Sequence, residues 1–172
     1  FLGAAVADAL AARGDTAIAF DATFASPAIP GPRVERVLAD ITDPAHVAQV
    51  FKHHRPDAVV HCAAVVSVLA SLGSPLNVVR VNIEGAIHLL EAMRLFGVRR
   101  VLHVSSEETY GNFTADRIDE EHPQKPMMPY GASKVADSRH IGTIRMMASG
   151  SDQLSYWAAS ARKTNSTERA KM

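Results

Sequence analysis

Short apolar runs rich in valine alternate along this chain with segments of helical period, and such alternation restricts a fold to parallel strands connected by helices. Four runs predict strands, at residues 16–21, 34–40, 57–64 and 100–105. The last two are nearly continuous in apolar residues, which is typical of parallel strands that are covered on both faces. The sequence therefore predicts an α/β fold built on a parallel sheet.

Helical signals fill the segments between these runs. They predict helices at residues 4–13, 44–54 and 75–96, and a further helix that starts near Tyr130. Gly14 is expected to cap the first helix in a left-handed conformation. Asp43 is expected to be the N-cap of the second helix, because Pro44 occupies the first helical position.

Length and charge limit the partners of this chain. Its 172 residues suit one domain, and 18 basic side chains balance 18 acidic ones. A nucleic-acid or anionic-membrane partner needs a clustered basic surface, so we expect neither. The longest apolar stretch, at residues 58–70, is too short for a membrane-spanning helix, which needs about 20 residues. The single cysteine, Cys62, cannot form an intramolecular disulfide, and we expect a cytoplasmic protein.

Residues 135–172 differ in character from the rest of the chain. They carry six basic and three acidic side chains, a net charge of +3, and few branched aliphatic residues. No strand run or clear helical period continues past about Met147, so we expect a weakly structured tail after a domain at residues 1–134. A short helical cap with Tyr156 and Trp157 docked on the domain is the alternative.

Gly3 and Asp21 have the spacing of a dinucleotide-binding turn. Gly3 lies at the N-terminus of the first predicted helix, where unpaired N–H groups bind a pyrophosphate. Asp21 ends the next strand about 18 residues later, where such sites place the acid that holds the adenosine ribose. The alternatives are that Gly3 serves only close packing and that Asp21 is a solvent-exposed strand end.

Tyr130 and Lys134 form a Y-x-x-x-K pair, which places both side chains on one face of a helix. Tyrosine has an ordinary pKa of about 10, and a nearby ammonium lowers that pKa because it stabilises the phenolate. Such a pair can remove a proton from a substrate hydroxyl while the attached carbon gives up hydride to a nicotinamide. The alternative is an exposed tyrosine beside a surface lysine.

Three polar residues, Ser106, Glu107 and Glu108, follow directly on the strand that ends at Ser105. Ligands of open α/β sheets bind at the carboxyl ends of the strands. We therefore expect these residues in the same crevice as Tyr130, which lies about 24 residues further along the chain.

Residues 1 to about 134 resemble the extended short-chain dehydrogenase/reductase superfamily, and within it the NAD-dependent epimerase/dehydratase family that acts on nucleotide sugars. The matching segments, in family order, are FLG at 1–3, Asp21, ADITDP at 39–44, DAVVHCAA at 57–64, VNIEGAIHLLEAMRLFGVRRVLHVSSEETYG at 81–111 and PYGASK at 129–134. The resemblance implies a Rossmann-like, doubly wound parallel sheet, NAD as cofactor and a nucleotide-sugar substrate. Family members are often dimers, so a homodimer is expected as well.

The resemblance also implies roles for single residues around the cofactor. Asp21 resembles the ribose-binding acid and favours NAD over NADP, because it would repel a 2′-phosphate. Asp40 and Ile41 resemble the pair that contacts the adenine. Ala63 and Ala64 are similar to the backbone segment that passes under the cofactor.

The remaining family roles concern the reaction. Asn82 stands where the family has an asparagine that braces the lysine, and Lys134 resembles the residue that grips the nicotinamide ribose. Ser106 is similar to the serine or threonine that hydrogen-bonds the reacting sugar hydroxyl, and Tyr130 is similar to the base. The implied reaction passes through a keto-sugar.

Glu107 and Glu108 leave the subclass open. In the 4,6-dehydratases of the family the three positions after the strand read Thr-Asp-Glu, and the two acids protonate the leaving hydroxyl and remove a carbon-bound proton. The sequence Ser106-Glu107-Glu108 resembles that triplet, since paired carboxylates in one cleft can divide acid and base roles. Epimerases and unassigned relatives also carry a glutamate here, so an epimerase or another oxidoreductase remains the alternative.

The chain departs from the family pattern at both ends. The first strand, two glycines of the G-x-x-G-x-x-G turn and the C-terminal substrate domain find no match, so we expect an incomplete sheet and a fragment of a longer enzyme. In the strand order 3-2-1-4-5-6 the unmatched strand is central, and its neighbours should then form no ladder with each other. An inactive fragment or a non-catalytic NAD-binding module is the alternative function.

The other candidate residues have structural explanations. His53 and His54 end a predicted helix and are expected in solvent. His61 and His103 lie in strands and are expected to be hydrogen-bonded histidines of the core or the crevice. Cys62 is expected to behave as a small buried hydrophobe. No spacing of histidine and cysteine indicates a metal site.

Overall fold

The computed structural model describes residues 1–24, 30–114, 117–147 and 155–159. In chain order its elements are α1 (Leu2–Arg13), β1 (Ile18–Asp21), β2 (Glu35–Leu38), α2 (Pro44–His54), β3 (Val59–His61), α3 (Val68–Gly73), α4 (Pro75–Val78), a π-helix (Val79–Glu84), α5 (Gly85–Phe96), β4 (Arg100–Val104), a 3-10 turn (Glu107–Thr109), α6 (Pro129–Met147) and β5 (Ser155–Ala159). The four predicted strands and the predicted helices are present, and the α/β class is confirmed.

The strands pair in parallel and form two separate ladders in the described part of the chain. One ladder joins β1 to β2, and the other has the order β3-β4-β5. The sequence analysis predicted a break between β1 and β3, because the order 3-2-1-4-5-6 places another strand between their equivalents. The observed ladders agree with that order.

The main core lies between helices α2 and α5 and the second ladder. Val47 and Phe51 of α2 pack against Leu89, Met93 and other residues of α5 and against Val101 of β4. A smaller cluster of Ala7, Ala17 and Val34 packs α1 on the first ladder. Among the described residues, no helix combines the length and apolar character that crossing a bilayer requires.

The predicted caps of the first two helices are confirmed. Gly14 follows α1 with a φ of 97°, in the left-handed region that glycine favours. The Asp43 carboxylate accepts hydrogen bonds from the backbone N–H groups of Ala45 and His46 at the start of α2. These local signals therefore determine where α1 ends and where α2 begins.

The helix predicted at residues 75–96 contains a π turn at Val79–Glu84. A π turn inserts one residue into the helix and so changes which side chains face inward, and such turns are frequent at functional sites. Asn82, within this turn, is fully buried. Helical periodicity predicted a helix at residues 75–96, but it did not predict the π turn within it.

The structure differs from the expectation of a weakly structured tail. Helix α6 continues past residue 134 to Met147, and β5 adds a parallel strand beside β4. In the part of α6 whose side chains are described, the polar residues Ser133, Lys134 and Asp137 are buried, so an apolar period could not predict their burial. The division at residue 134 falls inside this helix and stays a prediction, and residues 160–172 lie outside the described ranges.

Gly85 allows α5 to pack directly on Ile41. A Cβ atom at position 85 would lie 2.8 Å from Cγ2 of Ile41. We predict that Gly85→Val lowers the free energy of unfolding by about 2 kcal/mol, because overpacking a filled core costs roughly 1–3 kcal/mol. Urea unfolding followed by circular dichroism measures this change.

The matched control is Gly73→Val at the end of α3, where a Cβ would meet nothing within 4 Å. This control is expected to change the free energy of unfolding by less than about 0.5 kcal/mol. Equal losses in the two variants would contradict the packing argument.

Candidate active site

The N-terminus of α1 lies beside the carboxyl end of β3. A Cβ atom at Gly3 would lie 3.4 Å from Cβ of Cys62, which follows β3 directly. No side chain caps the N-terminus of α1, so no side-chain oxygen accepts a hydrogen bond from its first N–H groups. A glycine at this position leaves room for close approach of the helix to the strand end.

Asp21 and Asp40 lie at the carboxyl ends of the paired strands β1 and β2. Asp21 is exposed, and its Oδ1 accepts a hydrogen bond from the Thr23 N–H at 3.1 Å. Oδ1 of Asp40 accepts two hydrogen bonds of 2.8 Å, from the N–H and from the hydroxyl of Thr42. These bonds hold the pKa of Asp40 below its usual value, so its carboxylate is ionised at neutral pH.

Ile41 is a core residue as well as a candidate ligand contact. Its side chain is 8% exposed and packs in the main core, and its carbonyl lies 3.1 Å from Nδ1 of His88. Ala63 and Ala64 follow β3 and are half-buried. Little of the Ile41 side chain is therefore available to a ligand.

Ser106 begins the 3-10 turn that follows β4. Its hydroxyl accepts a hydrogen bond from the Glu108 N–H at 3.3 Å, and its carbonyl accepts one from the Thr109 hydroxyl at 2.7 Å. Ser106, Glu107 and Glu108 are half-buried. The turn thus holds all three residues at the carboxyl end of β4, where the sequence predicted them.

Helix α6 packs its first turn directly on this 3-10 turn. A Cβ atom at Gly131 would collide with the carbonyl oxygen of Glu108, so only glycine permits the close approach. Tyr130, the preceding residue, is buried at 7% exposure. The contact places the helix segment that carries Tyr130 against the segment that carries Ser106.

Lys134 is buried at the same strand end. Its Nζ donates a hydrogen bond to the carbonyl of Val104 at 3.1 Å and lies 3.5 Å from Oδ2 of Asp137. Burial lowers the pKa of Lys134, and the carboxylate of Asp137 opposes that shift. The Lys134 ammonium therefore lies at the end of β4, beside Val104, and Val104 is two residues before Ser106 in the chain.

Asn82 connects the segment after β3 to α6. Its amide oxygen accepts a hydrogen bond from the Val65 N–H at 2.7 Å, and its NH₂ group donates to the Val65 carbonyl at 3.3 Å and to the Ser133 hydroxyl at 2.8 Å. The Ser133 hydroxyl donates in turn to the carbonyl of Tyr130 at 2.7 Å. Asn82 therefore braces the helix turn that carries Lys134 through Ser133, the neighbour of Lys134.

Asp137 was not among the candidate residues of the sequence analysis. Its side chain is fully buried, and its Oδ2 lies 3.1 Å from Nε2 of His103 on β4. His61 on β3 lies beside His103, with 5.3 Å between the ring centroids. Both histidines are buried as predicted, but Nε2 of His61 and both ring nitrogens of His103 have no hydrogen-bond partner among the described residues, so the expected hydrogen bonding is wrong for these atoms. The available signal was the spacing of Lys134 and Asp137, since residues three apart are neighbours on a helix.

Donor atoms of His61, His103 and Asp137 lie within 4.8 Å of one another, a spacing that would admit a metal ion. However, the cation that faces Asp137 is the ammonium of Lys134. A divalent ion in the same buried space would place uncompensated positive charge next to that ammonium. The cluster is therefore better described as a buried charge network than as a metal centre.

Three comparisons with known proteins give the same result. The model of the NAD dependent epimerase/dehydratase family matches residues 1–151. A UDP-glucose 4-epimerase of Mycolicibacterium smegmatis is 34% identical over 152 residues, which cover 84% of this chain and 48% of that protein. A dTDP-glucose 4,6-dehydratase of Neisseria meningitidis serogroup B is 39% identical over 121 residues, which cover 64% of this chain and 34% of that protein.

Solved structures agree with the family model. The crystal structure of Thermus thermophilus UDP-glucose 4-epimerase in complex with NAD superposes with a TM-score of 0.83 and 30% sequence identity, over 92% of this chain and 50% of that chain. The chain spans about half the length, or less, of the relatives it matches. This likeness confirms the Rossmann-like fold. Because the family model covers most of its residues, the chain belongs to the NAD-dependent epimerase/dehydratase family.

Proposed function

We propose that this protein is an NAD-dependent epimerase of nucleotide sugars that works through a keto-sugar intermediate, with Tyr130 as the base. The observation that carries this proposal is the packing of α6 on the turn after β4, which gathers Ser106, Tyr130 and Lys134 at one strand end. The similar UDP-glucose 4-epimerases support a nucleoside diphosphate sugar as the substrate.

The residues at the strand ends fit NAD. The uncapped N-terminus of α1 at Gly3 would receive the pyrophosphate, since helix N-termini bind anions. The exposed carboxylate of Asp21 would hold the adenosine ribose, and Asp40 with the backbone of Ile41 would border the adenine. The backbone at Ala63 and Ala64, braced through Asn82 and the adjoining Val65, would lie under the cofactor.

The reacting end of the site divides the proton chemistry among three side chains. Tyr130 takes the proton of the sugar hydroxyl, while Ser106 holds that hydroxyl by a hydrogen bond. The buried ammonium of Lys134 favours the phenolate, and it would hydrogen-bond the nicotinamide ribose of a bound NAD. NAD, when bound, supplies the acceptor for the hydride of the sugar carbon.

A 4,6-dehydratase is the second candidate, and the turn at Ser106, Glu107 and Glu108 favours it. Both carboxylates are half-buried immediately after β4, where one can protonate a leaving hydroxyl and the other can remove a carbon-bound proton. The likeness to dTDP-glucose 4,6-dehydratase supports this candidate. A non-catalytic NAD-binding module and an inactive fragment are the outcomes if neither reaction occurs.

A homodimer remains our expectation for the assembly, and a cytoplasmic location remains our expectation for the protein. Five large apolar side chains are exposed on α3 and on the helical segment after it: Leu69, Leu72, Leu76, Val79 and Ile87. These side chains lie within one stretch of the sequence, and exposed apolar patches are typical of interaction sites. A second copy of the chain is the partner that we propose for this surface.

We predict that Asp21→Asn shifts the cofactor preference toward NADP by at least about tenfold, because the substitution removes a negative charge that repels the 2′-phosphate. Titration calorimetry with NAD and with NADP measures the two Kd values. Asp15→Asn is the matched control, since Asp15 is an exposed acid before the opposite end of β1. An unchanged ratio of Kd values in Asp21→Asn would remove Asp21 from the site.

We predict that Tyr130→Phe lowers turnover of UDP-glucose by at least about 100-fold and leaves the Kd of NAD within about threefold, because only the proton acceptor is lost. Proton NMR of the sugar ring follows the C4 epimer, and calorimetry follows NAD. The wild-type protein with NAD is the positive control. Turnover that survives the substitution would refute the role of Tyr130.

The dehydratase candidate makes a different prediction. With dTDP-glucose as substrate, Glu107→Gln and Glu108→Gln would each lower formation of the dehydrated keto-sugar by about 100-fold, because each removes one partner of the acid–base pair. Proton NMR distinguishes the product by its new methyl group. The control is Glu91→Gln on the exposed face of α5, which should not change the rate. Formation of only the C4 epimer would exclude this candidate.

A further inference from the structure

Helix α6 carries a second buried charged residue one turn after Lys134. Oδ2 of Asp137 lies 3.5 Å from Nζ of Lys134 and 3.1 Å from Nε2 of His103. The side chains of Asp137 and His103 are completely buried, and that of Lys134 is 3% exposed. The three groups therefore interact without solvent between them, where electrostatic interactions are strong.

Among the residues whose side chains the structure describes, the other titratable groups that face this cluster are His61 of β3 and Cys62 directly after it. Burial lowers the pKa of His61 to about 4, so the imidazole is neutral at neutral pH. Burial also raises the pKa of the Cys62 thiol, so this group is mainly protonated. The carboxylate that balances the Lys134 ammonium is thus that of Asp137.

A buried ammonium loses its proton readily unless an anion or hydrogen-bond acceptors hold it. The Val104 carbonyl holds Lys134 from the strand side, and Asp137 holds it from its own helix. Nε2 of His103 lies 3.1 Å from the same carboxylate oxygen, but the two atoms do not form a hydrogen bond. These contacts fix the position of the Lys134 ammonium and favour its charged form.

We propose that Asp137 is a positioning residue, which keeps the Lys134 ammonium protonated and directed at the end of β4. This inference rests on the role proposed for Lys134 in catalysis, but its central claim concerns a property of the free protein. Removing the carboxylate should make Lys134 a weaker base, whether or not the chain turns over a sugar.

The test is NMR titration of the side-chain Cε and Hε signals in ¹³C-lysine-labelled protein, with the Lys134 signal assigned by its loss in Lys134→Arg. Asp137→Asn keeps the shape of the side chain and removes its charge. We expect it to lower the pKa of Lys134 by at least about one unit, a tenfold loss of proton affinity. The exposed Lys52 and Lys125 are internal controls and should not shift.

A second substitution tests the same idea in the opposite direction. His103→Leu removes the group that shares Oδ2 of Asp137, so the carboxylate should interact more strongly with Lys134 and raise the pKa of Lys134. This variant carries the test if Asp137→Asn does not fold. Asp137→Glu, which restores a carboxylate, should return the pKa of Lys134 toward its original value.

Two results would overturn the proposal. One is a pKa of Lys134 that does not fall in folded Asp137→Asn or that falls in His103→Leu. The other is stoichiometric zinc in the purified protein that is lost in His103→Leu, because the cluster would then be a metal centre.

If the wild-type chain is active, the alkaline limb of the pH profile of kcat/KM should move to lower pH in Asp137→Asn. Lack of activity with a shifted pKa would refute the proposed function alone.

Discussion

The contact between the first turns of α6 and the carboxyl end of β4 is the constraint on which the candidate site depends. Gly131 lets the helix approach the carbonyl of Glu108, and the Lys134 ammonium is anchored on the carbonyl of Val104. Both contacts are made to backbone carbonyls, one of the last residue of β4 and one of the 3-10 turn that follows it. The geometry of Ser106 relative to Tyr130 follows from this docking rather than from either segment alone.

A group of buried polar side chains lies next to the contact between α6 and the end of β4. Asn82 in the π turn reaches the segment after β3 and the first turn of α6, and Asp137 reaches β4 through His103. Buried polar groups are costly unless they are paired. The hydrogen bonds of Asn82 pair its buried amide fully, so they favour one arrangement of α6 on the segment after β3.

The likeness to known enzymes and the local geometry support different parts of the functional conclusion. Family membership follows from the match over residues 1–151, and it brings the chemistry of NAD and nucleotide sugars into consideration. The arrangement of the side chains supports roles for individual residues, above all for Lys134. The substrate is part of the proposal, because the chain covers about half of the relatives' length or less.

The sequence by itself determined the alternation of strands and helices, the caps at Gly14 and Asp43, and the motif residues that identify the family. These features are local, because a periodicity, a cap or a motif needs only neighbours along the chain. The tertiary structure decided the inward turn of Asn82, the continuation of α6 past Lys134, the pairing of β5 and the placement of Asp137 beside His103. Each of these depends on a partner far away in sequence, and Ser133, Lys134 and Asp137 of α6 are buried although they are polar, so no hydrophobic pattern could predict their burial.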